Sequence, residues 1–382
     1  MKRIYLDNNA TTAVDPLVLE AMLPYYKEFF GNPSSGHRFG EEAHQAIDLA
    51  RQQVAALVGS RPEETYFTGG GTEANNMAIH SALLAAPDRQ HIITSNVEHP
   101  SVLAPLAAAA ARGYVVQHLA VDENGNLDLE ELEEAIKPDT ALVSLMAANN
   151  ETGVIWDLHR IAALCREKGV PFHCDAVQMA GKLPIDMGAI QADYLTLAAH
   201  KLHGPKGCGA LCVRRATPIH PLIRGAGQER GKRAGTENVG GLAGFGSAAE
   251  LAADRLEDYQ TATSSLRDGL EVALLQAIPN TRVNGSAAHR LPNTSNISFQ
   301  NTASAAIIQE LDEQGIAVSA HSACHSGDLD PSHVLLAMHI PEDFIHGTLR
   351  ISLSRFTKKA EVDELIAILP DIVARSRAIG VP

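Results

Sequence analysis

The chain has 382 residues, 45% hydrophobic and 20% charged, with a formal net charge of −14. That balance is ordinary for a soluble globular protein with one large core or two moderate ones, and its acidic excess argues against a nucleic-acid or anionic-membrane partner. No window holds the roughly 20 apolar residues of a membrane helix, and the first residues lack a secretory pattern. Cysteines stand only at positions 165, 174, 208, 212 and 324, too few and too irregular for a disulfide framework, which fits a reducing cytoplasm.

Asp15-Pro16 predicts a capped helix start, with Gly31 as its stop. Ala43, Ile47, Ala50, Val54 and Leu57 recur at helical spacing up to Gly59. Short β-rich runs follow at 65–68, 91–94, 114–116, 141–145, 170–174 and 194–197, with helical patterns such as 129–136 between most of them. Strands alternating with helices predict an α/β fold built on a mostly parallel sheet, covered on both faces, that binds ligands at the carboxyl ends of its strands. From about Leu242 to Ala277 one long helix is expected, then strands near 294–299 and 349–353 and a last helix near 360–375. The pattern divides the chain into a large α/β domain, 13–257, and a smaller α+β domain made of 1–12 and 258–382.

Four segments carry residue types suited to chemistry. In Phe67-Thr68-Gly69-Gly70-Gly71-Thr72-Glu73 a strand ends, glycines allow a tight turn and a helix begins. Amides at a helix start plus a threonine hydroxyl can cradle a phosphate, although a plain turn reads equally well. Asp175, closing the apolar strand 170–174, needs a cationic or hydrogen-bonded partner when buried, and a helix cap would serve as well. Lys201 follows the apolar strand 194–197 and precedes Gly204-Pro205. Partial desolvation there would suit it to Schiff-base chemistry, against the alternative of a surface turn. Cys324 lies among Ser322, Ala323, His325, Ser326 and Gly327, a loop of small residues where a thiolate can be reactive, although an incidental free thiol reads equally well. Cys208 and Cys212 read as core cysteines, and the basic residues Arg224 and Arg230 to Arg233 as a solvated loop or a small anion site.

Taken in order along nearly the whole chain, these motifs resemble those of the NifS/IscS-type cysteine desulfurases, class-V aminotransferase-like members of the fold-type-I pyridoxal-phosphate enzymes. The matching runs include Tyr5-Leu6-Asp7-Asn8-Asn9-Ala10, Gly70-Gly71-Thr72-Glu73, Glu98-His99, Asn149-Asn150-Glu151-Thr152-Gly153 and Asp175-Ala176-Val177-Gln178. They continue through His200-Lys201, Arg233-Ala234-Gly235-Thr236-Glu237-Asn238, Ser322-Ala323-Cys324 and Leu349-Arg350-Ile351-Ser352. The resemblance implies a seven-stranded sheet and pyridoxal 5′-phosphate carried on Lys201. It implies Asp175 at the ring nitrogen, His99 on the ring face and Gln178 at the phenolic oxygen. Gly71, Thr72 and His200 would hold the phosphate, together with Thr236 from the other subunit of a homodimer. Asn150 and Arg350 would fix the substrate carboxylate, and Cys324 would receive sulfur from L-cysteine as a persulfide, releasing alanine. A sulfur-acceptor protein such as an iron–sulfur scaffold is the implied partner.

Three features depart from that pattern. Many relatives have serine where Ala198 stands, His321 and His325 bracket Cys324, and the chain stops soon after its last helix. The run Ala323-Cys324-His325-Ser326 and the non-serine at 198 also resemble selenocysteine lyases, making L-selenocysteine the alternative substrate. An aminotransferase would not need Cys324, and a non-catalytic protein would not need the lysine, aspartate, histidine and cysteine together.

Overall fold

The computed structural model describes residues 3–285, 289–320 and 331–379, so Cys324 and its flanking His321 and His325 lie outside the described residues. In chain order the strands are β1 (Ile4–Tyr5), β2 (Thr65–Thr68), β3 (His91–Ser95), β4 (Val115–Leu119), β5 (Thr140–Met146) and β6 (Phe172–Asp175). They continue with β7 (Tyr194–Ala198), β8 (Gly209–Val213), β9 (Thr281–Val283), β10 (Thr294–Phe299), β11 (Ile316–Ala317) and β12 (Thr348–Ser352). Seven of them form one sheet in the order β2-β8-β7-β6-β5-β3-β4. The run from β4 to β7 is parallel, while β8 pairs antiparallel with both β7 and β2. A second, antiparallel sheet is ordered β12-β10-β9, and β1 pairs with β11.

Strands β3, β5, β6, β7 and β8 are buried at every position, as expected where helices cover both faces of a sheet. Side chains alternate between the two faces. In β5, Leu142 enters one apolar cluster with Met77, Val102 and Leu106, while Val143 and Leu145 enter another with Ile93, Phe172 and Phe245. Each fully buried Leu, Ile or Phe contributes roughly 1.5–3 kcal/mol. A third cluster joins the chain start (Ile4, Leu6) to Leu270, Ile297, Phe299, Leu349, Ile351 and Leu369.

Two helices differ from their sequence patterns. The first spans only Pro16–Met22, with Asp15 accepting from the Leu17 amide as its cap. Pro24 then opens a separate turn, Pro24–Lys27, because proline supplies no amide to continue the ladder. The long helix is two, Val239–Asp254 and Leu256–Ala277. They meet at Arg255, whose ψ of 16° leaves helical geometry. Burial continues from Ala252 to Tyr259 and Thr263 across that joint, so the break leaves no mark in the apolar periodicity.

Candidate active site

Parallel pairing brings the ends of β5, β6 and β7 to one edge, and a cavity of about 240 Å³ opens there. Its lining includes Gly71, Thr72, His99, Asn150, Asp175, Gln178, His200, Lys201 and Arg350. The fold therefore brings together every expected site residue but Cys324, outside the described residues, and Thr236. Thr236 is exposed and is not part of this lining.

Beyond β7 a single 3-10 turn, Ala199–Lys201, carries the chain off the sheet. It turns Lys201 toward the chain start, where Nζ donates to the carbonyl oxygens of Asn9 and Ala10, the latter at 2.8 Å. Gly204 fits beneath, since a Cβ there would lie 2.9 Å from both the Ala199 Cβ and its carbonyl oxygen. His200 bonds through Nδ1 to the Thr11 hydroxyl at 3.1 Å. Burial first, and then the neighbouring Lys201 cation, push its pKa down to about 4. The ring is neutral near pH 7.

Asp175 ends β6 between Met146 and Thr196 of the flanking strands. One oxygen accepts from the Val177 amide at 3.0 Å and the other from the Asn75 side chain at 2.7 Å. The first bond is the capping turn the sequence allowed; the second is not local. Asn75 sits one turn into the Gly71–Ala85 helix, and its amide nitrogen also reaches the Ser101 hydroxyl at 2.8 Å. Ser101 in turn offers both its hydroxyl and its backbone amide to His99 Nδ1, at 2.7 and 3.1 Å. An Nδ1 that receives two donors carries no proton of its own, which places the proton of neutral His99 on Nε2. Burial lowers the His99 pKa, and Lys201 adds to that against the opposing pull of Asp175.

The Gly71–Ala85 helix begins with no side-chain cap, after Gly70 at φ +152°. That conformation suits glycine alone, and β8 packs so closely that a Cβ on Gly209 would meet Gly70 backbone at 2.5 Å. Opposite, Arg350 is 1% exposed. It donates to Asp7 at 2.7 Å and to the Asn150 carbonyl at 3.3 Å, and its Nε has no partner among the described residues. Its backbone pairs in both directions with Ser319.

These residues fit pyridoxal phosphate. An uncapped helix start and neutral His200 suit its phosphate, a buried carboxylate its ring nitrogen, and a turn-held amine its aldehyde. The basic segment 230–233 does not present an open anion site. Arg230 is bonded to the Glu63 and Thr65 carbonyls, Arg233 to Glu73, and Lys232 to the Ile219 carbonyl. Cys208 and Cys212 are buried core residues.

Several contributors were given no role by the sequence reading. Asn75 could have been found from its helical spacing to Gly71. Asn9 sits within a matching run but as a backbone acceptor, which no residue type announces. Glu98 is fully buried, accepts from Ser95 Oγ and the Met146 amide, and is pushed up to about 8 by burial. Glu151, also buried, accepts from Ser332 where the described chain resumes, and His333 bonds the Glu98 carbonyl.

The family model described as "Aminotransferase class-V" matches residues 4–365. A cysteine desulfurase of Nostoc sp. is 50% identical over 380 residues, covering 100% of this chain and 95% of that protein. The cysteine desulfurase NifS of Azotobacter vinelandii is 48% identical over 381 residues, with the same coverage. Among solved structures, a "NifS-like protein" superposes with a TM-score of 0.92 at 37% identity, covering 98% of this chain and 100% of that one.

Proposed function

The chain belongs to the class-V aminotransferase family, and on that premise we propose that it is a pyridoxal-phosphate-dependent cysteine desulfurase that converts L-cysteine to L-alanine. The observation that carries this reading is the convergence on one cavity of Lys201, Asp175, His99 and Arg350, in a chain half identical, end to end, to cysteine desulfurases. Those relatives' names give no support to the selenocysteine alternative.

Pyridoxal phosphate, when bound, supplies an electron-withdrawing ring that weakens bonds at the substrate α-carbon. Asp175 would keep a proton on the ring nitrogen; its two fixed donors, Val177 and Asn75, hold the carboxylate aimed. Lys201 would carry the group and move the α-proton at Nζ. Gly71, Thr72 and neutral His200 would bind the phosphate, Gln178 would donate to the phenolic oxygen, and His99 would stand beside the ring with a proton available at Nε2. Arg350, with Asn150 beside it, binds the substrate carboxylate and so orients the thiol.

Cys324 then takes the sulfur. Its thiolate bonds to the substrate sulfur as the carbon–sulfur bond breaks. The carbon keeps the bonding pair and gains a proton, giving alanine, and Cys324 is left as a persulfide. The acceptor of that sulfur is a protein such as an iron–sulfur scaffold. The working form is a cytoplasmic homodimer in which the second copy supplies Thr236 to the phosphate. Support for a second copy comes from exposed Leu17, Leu19, Leu23, Tyr26, Phe30 and Phe39.

The test is to incubate the purified protein, loaded with pyridoxal phosphate, with L-cysteine or L-selenocysteine and measure alanine, sulfide and selenide. Alanine from cysteine, dependent on Cys324, supports the reading. Alanine from selenocysteine alone would replace it with the lyase.

A further inference from the structure

A second buried lysine stands behind the first. Lys182 is 3% exposed and lies on the turn that follows β6, four residues after Gln178. Its Nζ donates to Gln178 Oε1 at 2.7 Å and to Asn9 Oδ1 at 3.0 Å. Gln178 Nε2 donates to the Asn9 carbonyl, the same oxygen that accepts from Lys201. Asn9 is itself fixed: its side-chain amide nitrogen donates to Thr294 Oγ1 and the Asn150 carbonyl, and Asn293 donates to its Oδ1.

A protonated amine only donates, whereas a carboxamide can present either its oxygen or its nitrogen. The partner that Lys182 touches on Gln178 must therefore be the oxygen, and the amide nitrogen is left pointing the other way. The amide is thus held from both ends, its nitrogen by the Asn9 carbonyl and its oxygen by Lys182. We propose that Lys182 is a positioning residue for the reaction: it locks the Gln178 amide with its NH2 group toward the cofactor, and holds Asn9 as the seat of Lys201.

Burial disfavours the charge on Lys182, and the facing cations Lys201 and Arg350 add to that. A neutral amine still has two hydrogens for its two acceptors, and the Asn9 carbonyl, which only accepts, keeps the Gln178 NH2 group on its own side so that the oxygen faces Lys182. The inference rests on the cofactor reading above. It uses no contact with substrate.

The experiment compares wild type, Lys182→Met, Gln178→Ala and the double variant, each loaded with pyridoxal phosphate. Lys182→Met should shift the visible absorbance and its pH midpoint as Gln178→Ala does. It should lower kcat roughly ten- to hundredfold with KM for cysteine little changed, as expected for loss of a hydrogen bond in a buried network. In the double variant the Lys182 change should add almost nothing to that of Gln178. A lysine that merely fills space would lower thermal stability and leave the absorbance alone, and that result overturns the proposal; so does full additivity. If Lys182→Met does not fold, Lys182→Leu, which likewise has no donor, is read by the same spectrum, and an unshifted band overturns the proposal. A wild type that makes no alanine from cysteine would instead overturn the reading on which it rests.

Discussion

At the carboxyl ends of β5, β6 and β7 lies the 240 Å³ cavity of Lys201. Near the opposite ends of the same strands a hollow of about 590 Å³ is lined by Arg89, Arg166, Arg214 and Arg215. By size and charge the second would attract an anionic ligand. Three of its four arginines, however, are engaged: Arg89 with the Thr140 and Gly169 carbonyls, Arg166 with Gln191, Arg214 with Asp193. In the smaller cavity the groups are held from behind and leave one side open. Asp175 is fixed by two donors, His99 by two on Nδ1, and Arg350 keeps Nε without a partner among the described residues. What separates a reactive end of a sheet from an inert one is donors fixed in place with capacity remaining, not the volume between them.

The largest expected effect is at Lys201. Lys201→Ala should abolish turnover, a loss of roughly a thousandfold or more, together with the borohydride-reducible adduct; mass spectrometry of the reduced protein checks this, and an adduct surviving in the variant would break the assignment. Asp175→Asn should keep the fold and the cofactor's colour while lowering kcat on the order of a thousandfold, because an amide cannot hold a proton on the ring nitrogen. Steady-state rates and absorbance on the same sample separate the two effects.

Much of this contrast was legible beforehand. Apolar runs ending in Asp175 and Lys201 mark strands whose polar residues sit at the carboxyl edge, and the parallel order follows from alternating strands and helices. What the sequence could not show was cooperation across elements. Asn75 joins Asp175 to Ser101 and His99 from a helix 100 residues away, and the Asn9 carbonyl that receives Lys201 is backbone. The joint at Arg255 was equally invisible, since burial runs through it.

Glu98 sharpens the comparison through pH. Burial raises its folded pKa to about 8, far above an ordinary carboxyl. Its contribution to stability is therefore full below about pH 4.5 and is lost as pH rises through 8. Glu98→Gln, which stays neutral throughout, should match wild type in thermal melts at pH 4 and gain about 1 kcal/mol or more by pH 8. A variant equally destabilised at both pH values would show that the carboxyl is ionised at neutral pH. The smallest effect belongs to the inert end. Arg214→Ala, at a half-exposed ion pair with Asp193, should change stability by no more than about 0.5 kcal/mol and leave kcat/KM as it is. A tenfold loss of activity there would erase the distinction between the two ends.

The central claim is that ring-side residues prepare L-cysteine and Cys324 removes its sulfur. The most direct measurement is a brief incubation of the loaded protein with L-cysteine, followed by quantification of alanine and mass spectrometry of the Cys324 peptide, for wild type and Cys324→Ala. The account predicts one extra sulfur on that peptide in the wild type. In the variant it predicts that cysteine still perturbs the visible spectrum but yields no alanine. A Cys324→Ala protein that makes alanine from cysteine at the wild-type rate would contradict it.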